Sequence, residues 1–455
     1  MNTTFSIAFP GPVLAILARL EAHGHQAWAV GGCVRDALLG RAVHDWDLCT
    51  SATPAEMLRA FSGWPVRGAG LRHGTLTVVL GGAGYEVTTC RVDGPYTDGR
   101  RPDAVRFTRS LQEDLARRDL TINAMAFHPR AGLCDPFGGM ADLRRGLVRC
   151  VGAPALRFAE DELRLLRALR FAAVLNFSIH PATAAAIHAQ CAGPALRRTA
   201  PQRLLAELLA LLPGSGVLAV LLEYPDVLAQ FIPEIAATVG FEQHNPYHIY
   251  PVWEHIARAV AAAPPEAEVR LALLLHDIAK PVCFSQDAAG NGHFYGHAQR
   301  GKAMAAQILQ RLCCPGQLAQ ATARLVGWHD TPLAANPAAV RRWLNRAGEQ
   351  QFRRLICMHR CDALAKAPAP CAGRLRQLDD VERLLDTLVA QRACFCLKHL
   401  AVNGRDALAA GIPRGPQVGA ALNTVLDAVL DGRLPNSRPR LLEELRALAQ
   451  TPSSP

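Results

Sequence analysis

Over the first 150 residues the spacing of apolar positions keeps changing period. PVLAILARLEAHG (12–24) places its apolar residues at helical intervals and ends in a glycine stop, which predicts a helix. QAWAV (26–30) and TLTVVL (75–80) read as strands, and YEVTTCR (85–91) alternates as a half-buried strand does. From residue 155 onward glycine-bounded strands vanish. EDELRLLRALRFAAVL (160–175) and PQRLLAELLALL (201–212) are leucine–alanine helices, with breaks expected at Pro181, Pro213, Pro225, Pro233 and Pro246. APAPCAG (367–373) reads as a linker into a tail, 394–436, of helices joined at glycines. The expected class is therefore α+β: an α/β domain at 1–150, then all-helical segments at 151–240, 241–366 and 367–455.

Composition narrows the picture. At 455 residues, half of them apolar, the chain exceeds one core and has ample material for several. Its longest apolar stretches, such as VLAVLL (217–222), fall far short of the ~20 residues of a membrane span, and no basic signal-peptide start is present. A cytoplasmic protein without a membrane partner is expected. The fourteen cysteines include no C-x-x-C pair and read as reduced thiols. A net charge of +10 favours a polyanionic partner, whereas the excess of Arg over Lys carries no such information.

The first polar cluster, GGCVRDALLGRAVHDWDLCTSATP (31–54), holds Asp45 and Asp47 one residue apart. On a strand, positions i and i+2 share a face, so the two carboxylates would stand side by side, which is costly unless a cation bridges them. A divalent metal held there with a third carboxylate, for which Glu86 in YEVTTCR is the candidate, serves phosphoryl transfer; a solvated turn is the alternative. Gly31 and Gly32 close a strand and enter a helix carrying Arg35, where a triphosphate can approach the bare backbone; a plain tight turn is the other reading.

This cluster, with HGTLTVV (73–79), EVTTCR (86–91), RRDLTINAMAF (117–127) and DPFGGMADL (135–143), resembles in order and spacing the class II tRNA nucleotidyltransferases. These are the CCA-adding enzymes, related to the bacterial poly(A) polymerases within the polymerase-β-like superfamily, and the likeness covers residues 27–210. The resemblance implies a polymerase-β-like head in which Asp45, Asp47 and Glu86 are catalytic, the aspartates holding magnesium. It implies that Gly31, Gly32 and Arg35 meet the triphosphate, and that Arg118, Asp119 and Asn123 position phosphates and ribose. Arg117 reads equally as a phosphate contact or a surface charge. RGAGLRHGT (67–75) lies closer to the CCA-adding form than to the basic GRRF-like stretch of the poly(A) enzymes.

EDELR (160–164) puts Asp161 and Arg164 at i and i+3, predicting one shared helix face with Glu160 bracing Arg164 from i−4. It is either a surface ion pair or a base reader. Cytosine and adenine both present an amino donor beside a ring-nitrogen acceptor, which an aspartate next to an arginine complements and uracil or guanine does not. In the resembling family a similar E-D-x-x-R motif selects CTP and then ATP. Arg167 and Arg170 continue the helix as nucleotide or tRNA phosphate contacts, or as members of ion pairs such as Arg203 with Glu207.

Farther on, His255, His276–Asp277, His297, His329 and Asp362 form an H…HD…H…H…D series. Mixed imidazole and carboxylate donors suit a divalent transition metal, and the order resembles the HD phosphohydrolase superfamily. By that resemblance His255, His276, Asp277 and Asp362 bind one metal, and His297 and His329 complete a second site; a decayed domain kept for packing is the alternative. The tail resembles the C-terminal region of HD-containing tRNA nucleotidyltransferases. The expected function is template-independent completion of the CCA 3′ end of tRNA from CTP and ATP, with an attached phosphohydrolase. The rivals are CC-only, A-only or poly(A) addition, and a phosphohydrolase whose front half only binds RNA. Oligomeric state is left open.

Overall fold

The structure, a computed structural model, describes residues 7–94 and 104–450. It forms two compact units, Met1–Ala236 and Ala237–Pro455.

In the first unit α1 (Gly11–Ala22) buries Val13, Ile16, Leu17 and Leu20, the face its periodicity predicts. There follow β1 (Ala27–Val30), α2 (Gly32–Leu38), β2 (Asp47–Thr50), α3 (Pro54–Ala60), β3 (Val66–Arg67), β4 (Thr75–Leu80) and β5 (Ala83–Thr89). A separate pair, β6 (Arg91–Asp93) with β7 (Val105–Phe107), precedes α4 (Leu111–Ala116), β8 (Ala126–His128), β9 (Gly132–Cys134) and α5 (Gly139–Arg145). Seven strands form one sheet in the order β3-β4-β5-β2-β1-β8-β9.

Every pairing in that sheet is antiparallel except β2 with β5, whose parallel register sets Asp47 opposite Glu86 and Leu48 opposite Val87. Leu48 and Val87 are buried, so the hydrophobic demand at these two positions turns the carboxylates outward on one face. β2 begins only at Asp47; Asp45 lies in the irregular segment before it, not on the strand as expected. Alternation nonetheless continues, because Trp46 is buried against Phe9 (ring centroids 5.0 Å apart) and leaves both aspartates exposed.

Beyond the sheet come β10 (Leu147–Val148), α6 (Pro154–Glu160), α7 (Leu163–Leu175), β11 (Ser178–Ile179), α8 (Pro181–Cys191), α9 (Pro201–Leu211), α10 (Val217–Glu223) and α11 (Pro225–Ala229). Pro181 and Pro225 stand at the first turn of helices, where a missing N–H costs nothing. The helix expected over 160–175 is two helices: Asp161 is extended, at φ −144° and ψ 108°, between α6 and α7. Its carboxylate accepts from the Leu163 N–H at 3.0 Å and from Arg203 at 2.8 Å, a side-chain competition that ends one helix and starts the next. α7 then buries Leu165, Leu166, Leu169 and Ala172 and packs on α9.

The second unit holds α12 (Val252–Ala262), α13 (Ala267–Leu275), a hairpin of β12 (Ser285–Gln286) and β13 (Gly292–His293), α14 (His297–Arg311), α15 (Gly316–Trp328), α16 (Pro337–Ala347), α17 (Glu349–Leu364) and α18 (Pro368–Ala390). The segment read as a linker is instead the start of α18, which packs on α17. A proline at the first helical position is tolerated, and the Cys371 thiol donates to the carbonyls of Ala363 (2.9 Å) and Ala367 (2.8 Å). The tail helices α19 (Gly404–Ala409), α20 (Pro416–Leu430) and α21 (Arg438–Gln450) close a core of their own around Val425, Leu441 and Leu445. No helix among the described residues is long and apolar enough to cross a membrane.

Candidate functional site

One cavity of about 730 Å³ in the first unit gathers every residue expected to meet the nucleotide, together with Asp47. Gly31 lies at the end of β1 with φ +79°, and a Cβ there would stand 2.7 Å from Nη1 of Arg118. The glycine therefore makes room for a guanidinium as well as for the turn. Arg118 and Arg117 both donate to Asp114, at 3.3 Å and 2.8 Å. Asp114 is buried; desolvation alone would raise its pKa, but the charges of Arg117 and Arg118 hold it below the usual value. Arg117 is thus braced inside the site rather than free on the surface, and Nε of Arg118 is buried without a hydrogen-bond partner among the described residues.

Arg35 donates to Asn123 at 2.6 Å and to its neighbour Asp36 at 3.0 and 2.8 Å. Asn123 in turn donates to Asp119 at 3.3 Å, and Arg167 of α7 grips Asp119 at 2.8 Å. Burial would raise the pKa of Asp119, but Arg167 outweighs it and keeps the carboxylate ionised. Arg164, Arg167 and Arg170, three residues apart on α7, all face the cavity. Glu207 answers Arg170 at 3.2 Å and Arg167 at 3.6 Å, and burial raises its pKa against those two charges. The expected Arg203–Glu207 pair is replaced by Arg203–Asp161 at 2.8 Å.

Arg164 is braced by Glu160 as expected, and its Nη2 donates to the Arg117 carbonyl at 3.1 Å. Asp161 and Arg164 line the same cavity although they do not share a helix. The sequence reading missed Asp114 and Phe171, and offered Glu207 only as a partner for Arg203. The Phe171 ring is flanked by the guanidinium carbons of Arg170 (4.4 Å) and Arg35 (4.7 Å), coupling the sheet side of the cavity to α7. The R-x-x-R-x-x-R-F spacing of 164–171 was the available signal.

At the cavity edge, the pKa of Asp47 is raised by desolvation and by the charges of Glu86 and Asp45, with Arg118 opposing. That crowding suits a divalent cation, which would relieve it.

The second unit draws the whole H…HD…H…H…D series together. Among the described residues, the donor groups close enough to share an ion are His255–His276–Asp277–Asp362 and Asp277–His297–His329. Asp277 Oδ2 lies 3.3 Å from Nε2 of both His255 and His276, and its Oδ1 lies 3.4 Å from Nε2 of both His297 and His329. Each ring turns Nδ1 to a backbone carbonyl: His255 to Ala365 (3.1 Å), His276 to Leu273 (2.6 Å), His297 to Phe294 (2.8 Å) and His329 to Val326 (2.7 Å). Each carbonyl accepts from Nδ1 and holds the ring, so the four Nε2 atoms converge on Asp277. Burial would lower the pKa of His276, but Asp277 and Asp362 push it up to about 9. Lys280 and Lys366, absent from the expected set, bind Asp277 at 2.7 Å and Asp362 at 2.6 Å.

Comparison with known proteins places this geometry. Residues 27–149 match the poly(A) polymerase head domain, and 303–445 match tRNA nucleotidyltransferase domain 2. The chain is 34% identical to the CCA-adding enzyme of Levilactobacillus brevis over 94% of its own length and 95% of that protein. It is 47% identical to the CCA-adding enzyme of Limosilactobacillus fermentum, over 45% of this chain and half (50%) of that relative's length. It also resembles the crystal structure of the Bacillus stearothermophilus CCA-adding enzyme in complex with CTP, at 29% identity and a TM-score of 0.67, covering 97% of this chain and 98% of that one.

The contact between Gly31 and Arg118 yields a direct expectation. Gly31→Ala imposes about 1–2 kcal/mol of backbone strain at φ +79° and displaces Arg118. Nucleoside triphosphate affinity, followed by equilibrium titration, should fall about tenfold while the circular dichroism spectrum is retained.

Proposed function

The chain belongs to the CCA-adding enzymes, and from that premise we propose that its first unit builds and repairs the 3′-terminal CCA of tRNA from CTP and ATP without a nucleic-acid template. One observation carries the reading: a single cavity runs from Asp47 and Gly31 to the Asp161–Arg164 pair, so the reacting phosphate and the base edge are held by one site. In the reaction the tRNA 3′-oxygen bonds the α-phosphorus and pyrophosphate leaves. Asp45, Asp47 and Glu86 would hold magnesium, which supplies Lewis acidity to the attacking hydroxyl and the leaving group.

The chain's own groups do the rest. Arg35 and Arg118 neutralise the phosphates, and Asn123 and Asp119 offer hydrogen bonds to the ribose. Asp161 accepts from the amino group shared by cytosine and adenine, and Arg164 donates to the adjoining ring nitrogen. The contacts of Arg203 with Asp161 and of Glu160 with Arg164 keep the two readers oriented. The partner is the 3′ end of tRNA, in keeping with the net charge of +10.

The second unit supports a further reading, an HD phosphohydrolase. It rests on the two donor groups joined by the two oxygens of Asp277. The imidazole-rich set fits a divalent transition metal, which when bound lowers the pKa of a water. In such hydrolysis water oxygen bonds phosphorus, the ester oxygen departs with a proton, and the phosphate is released. The Nδ1–carbonyl bonds hold the rings in place, and Lys280 and Lys366 offset the carboxylate charge.

Four tests separate these readings and their rivals. With tRNAs ending before CCA, after C and after CC, the protein should extend each to CCA and stop; CC-only, A-only or long A products would assign it to a rival. Asp47→Ala should lower addition at least a thousandfold with tRNA binding within twofold, and retained addition would refute the assigned centre. Asp161→Ala should admit UTP and GTP at rates within about tenfold of CTP in single-nucleotide assays, an unchanged preference refuting the base-reading role. His276→Ala should abolish metal-stimulated phosphate release from 3′-phosphorylated RNA and remove tightly bound metal on dialysis, leaving nucleotide addition intact.

A further inference from the structure

His329, Asp362 and Lys366 form a wall shared by two cavities of the second unit. One, of about 550 Å³, reaches the Asp277 cluster; the other, of about 440 Å³, is lined additionally by His359 and Arg374. Neither the nucleotide-addition nor the phosphohydrolase reading uses His359 or Arg374.

Its donors are arranged in advance. Arg374 donates to Nδ1 of His359 at 2.9 Å and to Gln377 at 3.3 Å, and Gln377 is itself anchored to the Leu333 carbonyl at 2.8 Å. A guanidinium can only donate, so Nδ1 of His359 accepts and the single ring proton sits on Nε2. Burial, and then the charge of Arg374, push the pKa of His359 down to about 3, so the ring is neutral. Its residue is 3% exposed, and Nε2 has no hydrogen-bond partner among the described residues, so a buried donor is left without an acceptor.

No carboxylate pairs with Arg374 among the described residues; the nearby acids Asp379 and Asp380 pair instead with Arg360 and Arg383. Of the two carboxylates lining this cavity, Asp362 is answered by Lys366 and the histidines, and Asp330 is exposed. A rigidly held arginine beside an unsatisfied N–H is a receptor for an anion.

We propose that Arg374, the Nε2–H of His359 and Lys366 form a subsite for a second phosphate: the phosphodiester that precedes the scissile phosphate at an RNA 3′ end. The proposal rests on the phosphohydrolase reading of the neighbouring cavity. A strand rather than a free nucleotide is indicated by Tyr247, which is 60% exposed, lines both cavities and offers a base a face to stack on. The positive net charge favours the same partner.

The test compares full-length protein with Arg374→Gln and Arg374→Lys, using 3′-phosphorylated CpC, cytidine 3′-monophosphate and pyrophosphate as probes. Binding is measured calorimetrically in EDTA, and kcat/KM for phosphate release is measured after divalent metal is restored. Arg374→Gln should weaken CpC phosphate about tenfold and leave the mononucleotide within twofold, with Arg374→Lys recovering part of the loss. Equal losses on both probes, or none on either, would overturn the subsite. Dependence on Arg374 for pyrophosphate but not for CpC phosphate would overturn its assignment to a strand. If no metal restores hydrolysis while the selective binding loss persists, the phosphohydrolase reading falls and the subsite stands. Hydrolysis of both substrates unaffected by Arg374→Gln leaves that reading in place and removes the subsite.

Discussion

An ion pair between buried Asp119 and half-buried Arg167, at 2.8 Å, ties α7 to the head of the first unit. Asp119 is buried, so without Arg167 its carboxylate would lose the charge that offsets its desolvation. With the pair in place, Asp119 also receives Asn123, Asn123 receives Arg35, and Arg35 reaches Phe171 on α7. The cavity is thus a closed circuit of charge and ring contacts. It fixes the distance between the carboxylates of the sheet and the arginines of α7.

The second unit solves a similar problem with backbone rather than charge. Four imidazoles pointed at one aspartate would be disordered if each ring could flip. The carbonyls of Leu273, Phe294, Val326 and Ala365 take the Nδ1 protons and leave a single orientation. Three of those carbonyls lie three residues before their histidine in the chain: the last turn of a helix supplies the acceptor for His276 and His329, and the turn leading into α14 supplies it for His297. His255 alone depends on a distant segment, at Ala365.

Much of this was legible along the chain. The alternation around Leu48 and Val87 predicted strands with outward carboxylates, and the H…HD…H…H…D order predicted a ligand set that folding brings together. Among the expectations that failed, two did so for purely local reasons. Asp161 was placed on a helix because EDELR has helical spacing, but its carboxylate captures the Leu163 N–H and Arg203 and so breaks the helix. APAPCAG was read as a linker because prolines usually interrupt, yet Pro368 stands where a helix can begin with one.

What the sequence determined by itself are properties set within a few residues: which faces are apolar, where glycine must permit a left-handed backbone, and which short motifs carry phosphate or metal chemistry. Tertiary structure alone decided the partners. The parallel register of β2 with β5 chose Glu86 for Asp47 across 39 residues of chain. Packing of α7 on α9 gave Glu207 to Arg167 and Arg170 in place of its i−4 neighbour Arg203. Ion pairing and metal binding depend on distance in space, and a linear pattern states distance only between residues that share one helix or strand.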